Sequence, residues 1–284
     1  MFDLQSYLEK RKKIIGAALE TKLPSEKTRP ELLHKAMRYC VFSGGKRLRP
    51  ILCLAAAEAV GGTAEAALPS ALAVEILHTY TLIHDDLPCM DDDNMRRGKP
   101  ACHVEFDEAT AILTGDALQT LAFEILAETT APGPYPPNQF LKELSYSAGS
   151  RGIVGGQAED IFFSKSKRDS ATINYIHLHK TAFLFRASVR MGGIAGGATK
   201  DQLASLTEYG TNIGLAFQII DDILDHSNEE NTDKATCLAL YDLDSARTNA
   251  HLSVNTAVSA LAKFESSRIK PMHSIARFVI ERKI

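Results

Sequence analysis

The sequence predicts an all-α protein built as a single large helical bundle, and three observations predict it. Apolar residues recur at helical spacing along most of the chain, and no segment alternates apolar and polar residues between hairpin turns. The one proline-dense break is too short for a domain linker. With 284 residues, 45% of them hydrophobic and 24% charged, the chain holds enough apolar material for a large core. Residues 1–284 are read as one domain.

The elements follow in order. Leu72, Ile76, Thr79 and Ile83 share one helical face that runs into an acidic cluster. Ile112, Leu113, Leu118, Leu121 and Ile125 continue the pattern and predict the next apolar helix. Between Ala131 and Asn138 stand four prolines, which preclude helix and mark an inter-helix turn. Leu203, Leu206, Ile213, Leu215, Phe217 and Ile220 predict a further helix into a second acidic cluster, followed by a polar gap from His226 to Lys234. Gly192-Gly193 and Gly196-Gly197 fit close helix packing or a kink, since no strand precedes them as a nucleotide loop requires. Gly44-Gly45-Lys46-Arg47 is no P-loop either, lacking the upstream glycine and the Ser/Thr after lysine.

A net charge of -3 with no long Lys/Arg run gives no nucleic-acid signature. The N-terminus lacks the apolar stretch of a signal peptide, and no segment has the ~18 uninterrupted apolar residues of a membrane anchor. Five cysteines without a C-x-x-C pair argue against a zinc knuckle or disulfide framework and for a reducing compartment. A cytoplasmic location is the expectation.

Asp85, Asp86, Asp91, Asp92 and Asp93 crowd the end of the first apolar helix. Two like charges about 4 Å apart repel by about 4 kcal/mol near a protein surface. Hard divalent cations relieve this, and Mg²⁺ characteristically takes one or two carboxylates together with water and substrate phosphate. An acidic helix-terminal loop is the alternative for this segment alone. The second cluster shifts the weight: Asp221 and Asp225 stand at i and i+4 on one face of a strongly apolar helix. Two acidic faces on one cavity would hold metal ions on opposite sides of one pyrophosphate. Neither cluster fits an EF-hand loop. Arg96, Arg97, Lys46, Arg49 and Lys180-Thr181 supply forks and point charges for phosphate oxygens, although each alone is more often a surface charge.

In chain order the sequence carries Gly44-Gly-Lys-Arg-Leu-Arg-Pro50, Asp85-Asp86-x4 followed by aspartates and Arg96-Arg97-Gly98, Gly155-Gly156-Gln157-x-x-Asp160, Lys180-Thr181 and Phe217-Gln218-x-x-Asp221-Asp222-x-x-Asp225. On these motifs, from about residue 30 to 225, it resembles the trans-isoprenyl diphosphate synthases (polyprenyl synthetases), in particular bacterial farnesyl diphosphate synthases. The resemblance implies an isoprenoid-synthase bundle around a deep central cavity, usually homodimeric. It implies Mg²⁺ as cofactor, about three ions with Mn²⁺ as a substitute. Asp85, Asp91 and Asp221 would be direct ligands, with Asp86 and Asp225 in support. Arg96, Lys180, Gln157, Asp160 and Lys234 would serve the allylic diphosphate. Lys46, Arg49, His78 and Arg97 would hold isopentenyl diphosphate, and Thr181 and Gln218 would aim oxygen dipoles at the allylic cation. Tyr80, beside the smaller Thr81, would stop chain growth at C15.

The chain departs from the pattern after Asp225. The Gly-Lys-x-x-Gly-x-Asp segment usual in the family is missing, roughly eleven residues short, and Lys234 matches the later lysine. That implies a more open or more metal-reliant allylic site. Arg282-Lys283 matches the tails that close the site in the family, or is a solvated terminus. The competing readings are geranylgeranyl diphosphate synthase, a non-catalytic prenyl-synthase subunit, an HD-type phosphohydrolase suggested by His84-Asp85, and a class I terpene cyclase. The cyclase would not need Lys46, Arg49 and Arg97, and the phosphohydrolase leaves the second Asp motif unexplained.

Overall fold

The computed structural model describes residues 2–163, 169–227, 237–239 and 241–282, and nearly all of these lie in helices. Helix α1 (Leu4–Lys22) starts where the Asp3 carboxylate accepts from Ser6 N–H. α2 (Glu31–Val41) and α3 (Leu48–Ala59) flank the Gly44–Arg47 turn. α4 (Ala64–Asp85), capped by the Thr63 hydroxyl, ends in the first acidic cluster. α5 (Cys102–Glu105) leads to α6 (Glu108–Ala127), which the Asp107 carboxylate caps. The proline-rich turn separates α6 from α7 (Gln139–Ala148), as the sequence predicts. α8 (Ile153–Phe163), α9 (Ser170–Ile176), α10 (Phe183–Ala195) and α11 (Lys200–Ser227) follow, the last carrying the second cluster. α12 (Leu243–Ala260) and α13 (Lys270–Glu281) complete the bundle.

α4 lies at the centre, packed on α3, α6 and α10, while α10 and α12 pack on α11. Its Leu72, Ile76, Thr79 and Ile83 are all buried. By length and composition α4 could cross a membrane, but 72% of its apolar window is buried inside the bundle, which accounts for its composition.

α6 corrects one expectation. Ile112 and Leu113 are exposed, at 44% and 57%. The buried stripe is Ala111, Gly115, Leu118, Ala122 and Ile125, whose small members let α6 approach α4 closely. The sequence pattern counted large apolar residues and passed over the alanines and glycine that make the contact.

A two-stranded antiparallel ribbon, β1 (Met95–Arg96) and β2 (Lys99–Pro100), was also missed. Strands of two residues give no period to detect. Arg97 (φ 54°) and Gly98 (φ 76°) turn the ribbon, and positive φ at both central residues is the tight hairpin geometry that favours glycine. The ribbon folds the two arginines back over the end of α4.

Between α9 and α10 the helix widens into a π-helical stretch, His177–Ala182. Backbone from two neighbours presses on it. A Cβ at Gly156 of α8 would lie 2.3 Å from Lys180 N, and one at Gly214 of α11 would lie 2.4 Å from Ala182 Cα. Such bulges concentrate at functional sites, and this one carries Lys180 and Thr181.

Candidate active site

His78, Thr81, Leu82 and Asp85 recur at i, i+3, i+4 and i+7, so one face of α4 lines a cavity of about 310 Å³. α11 contributes Phe217, Gln218 and Asp221 from the opposite wall. Lys180 and Thr181 enter from the π-helical stretch, Arg49 from α3, and Arg96 and Arg97 from the ribbon. One aspartate of each acidic cluster, Asp85 and Asp221, therefore opens onto the same compartment, and Asp91, expected as a direct ligand, does not line it.

The acidic side is built against its own charge. Burial pushes the Asp85 carboxyl up to about 7, Asp91 adds to the rise, and Lys180 and Arg96 oppose it. Burial likewise pushes Asp221 up to about 6, against the opposing Arg282 guanidinium. At neutral pH such values leave Asp85 only about half ionised and Asp221 mostly ionised, and added positive charge would draw both fully into the carboxylate form. Among the described residues no three His, Cys, Asp or Glu side chains close into a metal cage. An open all-oxygen set fits a hard divalent ion completed by water and substrate phosphate, the habit of Mg²⁺.

The basic side is preformed. Arg49 lies with its guanidinium 4.4 Å from the centre of the Phe185 ring, and burial lowers its pKa to about 10. Its Nη1 stands 3.1 Å from His78 Nε2. Arginine only donates, so the His78 nitrogen accepts, and burial followed by the Arg49 charge keeps that imidazole neutral. His78 thus orients Arg49 and is not itself a cation here. Arg97 donates to the Gly44 carbonyl at 2.7 Å, which fastens the ribbon to the α2–α3 turn. Buried Glu75 pairs with Arg47 and offsets some of the clustered positive charge.

Lys180 Nζ lies 2.5 Å from Asp160 Oδ2, and Asp85 and Asp91 also raise its pKa, so it stays cationic beside the first cluster. The Thr181 hydroxyl donates to Gln218 Oε1 at 2.5 Å. Gln218 Nε2 in turn donates to Asp222 Oδ1 at 2.8 Å. Asp222 is buried and was not among the site residues expected from sequence, although its spacing of four from Gln218 was there to be read.

Several expected residues stand elsewhere. Lys46 is exposed, 5.7 Å from the centre of the Phe278 ring, and does not line the cavity. Asp86 turns into a separate small pocket and is ion-paired with Arg96, whose Nε donates to it at 2.9 Å. Asp86 is thus held by Arg96 and does not line the cavity that Asp85 faces. Tyr80 points to the other side of α4, edge-on to His84 at 5.5 Å, and Thr81 lines the cavity in its place. Asp160 backs Lys180 from outside the lining, and Gln157 is buried with both amide atoms unpaired. Asp225 is exposed one turn beyond Asp221. Lys234, Lys283 and the shortened loop lie outside the described residues.

A helical bundle that brings one aspartate from each acidic cluster and a set of cations into one cavity has the makings of an all-α prenyltransferase. Comparison with known proteins agrees: residues 30–258 match the family described as Polyprenyl synthetase, and the chain belongs to that family. It is 40% identical to geranylgeranyl pyrophosphate synthase 7, chloroplastic, of Arabidopsis thaliana, over 99% of this chain and 84% of that protein. It is 42% identical to a dimethylallyltranstransferase of Fischerella ambigua, with the same coverage of 99% and 84%. Its fold superposes on an FPP/GFPP synthase from Zymomonas mobilis with a TM-score of 0.88 and 39% identity, over 98% of each chain.

Proposed function

We propose that the protein condenses isopentenyl diphosphate with dimethylallyl or geranyl diphosphate to give farnesyl diphosphate and pyrophosphate. The observation that carries this reading is the position of Asp85 and Asp221 on opposite walls of one cavity, with Arg49, Arg97 and Lys180 between them.

Mg²⁺, when bound between the two rows, would neutralise the diphosphate as it leaves. The residues do the rest. Lys180 and Arg96 grip the allylic diphosphate, so the C–O bond breaks where fixed positive charge already faces the leaving oxygen. Arg49, oriented by His78, and Arg97 hold isopentenyl diphosphate with its double bond toward the new cation. The Thr181 hydroxyl presents oxygen lone pairs to that cation. Carbon-carbon bond formation moves the charge one unit along, and proton loss, to the departing pyrophosphate in this proposal, restores a double bond. Phe217 and Leu184 keep the cavity wall apolar, which limits capture of the cation by water.

Geranylgeranyl diphosphate is the second product to consider, because Thr81 and not Tyr80 lines the cavity and a geranylgeranyl synthase is among the similar proteins. A homodimer in the cytoplasm belongs to the same proposal; the exposed Ile112 and Leu113 on α6 support an interface there. Incubation with isopentenyl diphosphate, dimethylallyl diphosphate and Mg²⁺, followed by product sizing, tests the reading. A C15 product supports it, C20 selects the second product, and no condensation revives the non-catalytic subunit.

A further inference from the structure

We propose that Asp222 is a positioning residue that fixes the polarity of the Gln218 amide, and through it the direction in which the Thr181 hydroxyl faces the reacting carbon. The inference rests on the prenyl-transfer reading.

A glutamine amide has an accepting end and a donating end, and its neighbours decide which faces where. An ionised carboxylate only accepts. Asp222 Oδ1 therefore takes the Gln218 NH₂ at 2.8 Å, and the amide oxygen must face Thr181. Thr181 must then donate, at 2.5 Å, and its hydrogen is held away from the cavity. What remains toward the cavity is oxygen lone pairs, the negative end of the hydroxyl dipole. Reversing the amide would make Thr181 an acceptor and turn its hydrogen, the positive end, toward the forming cation.

Asp222 is itself held in place. Its Oδ2 accepts from Cys237 N–H at 2.7 Å and lies 3.2 Å from His177 Nε2, and the carboxylate is 3% exposed. It turns away from the cavity that Asp221 lines, so two adjacent aspartates in one motif do different work.

Asp222→Asn is nearly isosteric but reverses the chain of bonds. Cys237 N–H needs an acceptor, so the asparagine oxygen must stay there, and its NH₂ must face Gln218. Gln218 then turns its oxygen to position 222 and its NH₂ to Thr181. Adding Gln218→Glu restores the original sense, because a carboxylate accepts from both neighbours.

The test is single-turnover condensation together with steady-state kinetics of wild type, Asp222→Asn and Asp222→Asn/Gln218→Glu, with helical content followed by circular dichroism. Asp222→Asn is expected to slow condensation about 10²-fold while KM for both diphosphates stays within about threefold, and the double variant to recover at least about tenfold. A wild-type rate in Asp222→Asn overturns the assignment. So does a double variant no faster than the single one, or an Asp222→Asn protein that loses its helices, since Asp222 would then serve the fold. A wild-type protein that makes no elongated product refutes prenyl transfer itself and takes this inference with it; a wild-type product with an unimpaired Asp222→Asn refutes the inference alone.

Discussion

Arg282 closes on Asp221: its Nη2 lies 2.6 Å from Asp221 Oδ1 and also donates to the Phe217 carbonyl at 2.6 Å. The guanidinium stacks 3.8 Å from the Phe217 ring centre, and the side chain is only 4% exposed. Arg282 thus places a fixed cation on the α11 carboxylate proposed above as a metal ligand, and the solvated-terminus reading does not apply to it.

Burial raises Asp221 to about 6 while Arg282 opposes the rise. Removing the guanidinium lifts the carboxyl further. For Arg282→Met, the acidic limb of kcat/KM is expected to move up by roughly one pH unit, since that ratio reports the free enzyme. Arg282→Lys should keep the limb near its wild-type position. A pH–rate series on the three proteins checks this.

Asp85 carries a stability signature of the opposite sense to a salt-bridged aspartate. Its carboxyl rises from 3.8 to about 7 on folding. Between those values the folded protein keeps a proton that the unfolded chain has released, so metal-free stability falls as pH rises through that window. Asp85→Asn is expected to stabilise the metal-free protein by roughly 1–3 kcal/mol at pH 8 and to change little at pH 4. Calorimetry at both pH values reads it.

Lys46 and Arg49 come from one short motif but sit in different places. Arg49→Gln removes a buried fork and is expected to raise KM for isopentenyl diphosphate about 10²-fold. Lys46→Ala removes an exposed charge and should change it less than about threefold. Steady-state kinetics in each substrate distinguishes the two.

Tyr80 is buried on the far side of α4, edge-on to His84, and Thr81 lines the cavity in its place. Tyr80→Ala is therefore expected to leave the length of the major product unchanged. Chromatographic sizing of the products checks it; a product longer by a five-carbon unit would return Tyr80 to chain-length control.

The helical class and the two aspartate motifs were legible because both rest on local spacing. Apolar period placed α4 and α11, and the i, i+4 pattern placed Asp221 on a face that reaches the cavity. What was not legible depended on contacts distant in sequence. Asp85 and Asp86 are neighbours in one motif, and only the return of the ribbon shows that Arg96 takes Asp86 while Asp85 faces the cavity. Tyr80 and Thr81 are likewise neighbours, and the helical angle alone decides which one meets the cavity. The π-helical stretch has no composition signal, and its close contacts with Gly156 and Gly214, distant from it in the chain, are visible only in the fold.

Binding of a non-hydrolysable bisphosphonate in the presence of Mg²⁺ tests the central claim, that both acidic rows serve one diphosphate. The affinity measured by calorimetry should fall at least about 10²-fold in Asp85→Asn and, separately, in Asp221→Asn. Wild-type affinity in Asp221→Asn, with a loss in Asp85→Asn alone, would mean that the α11 row does not reach the bound diphosphate and would contradict the account.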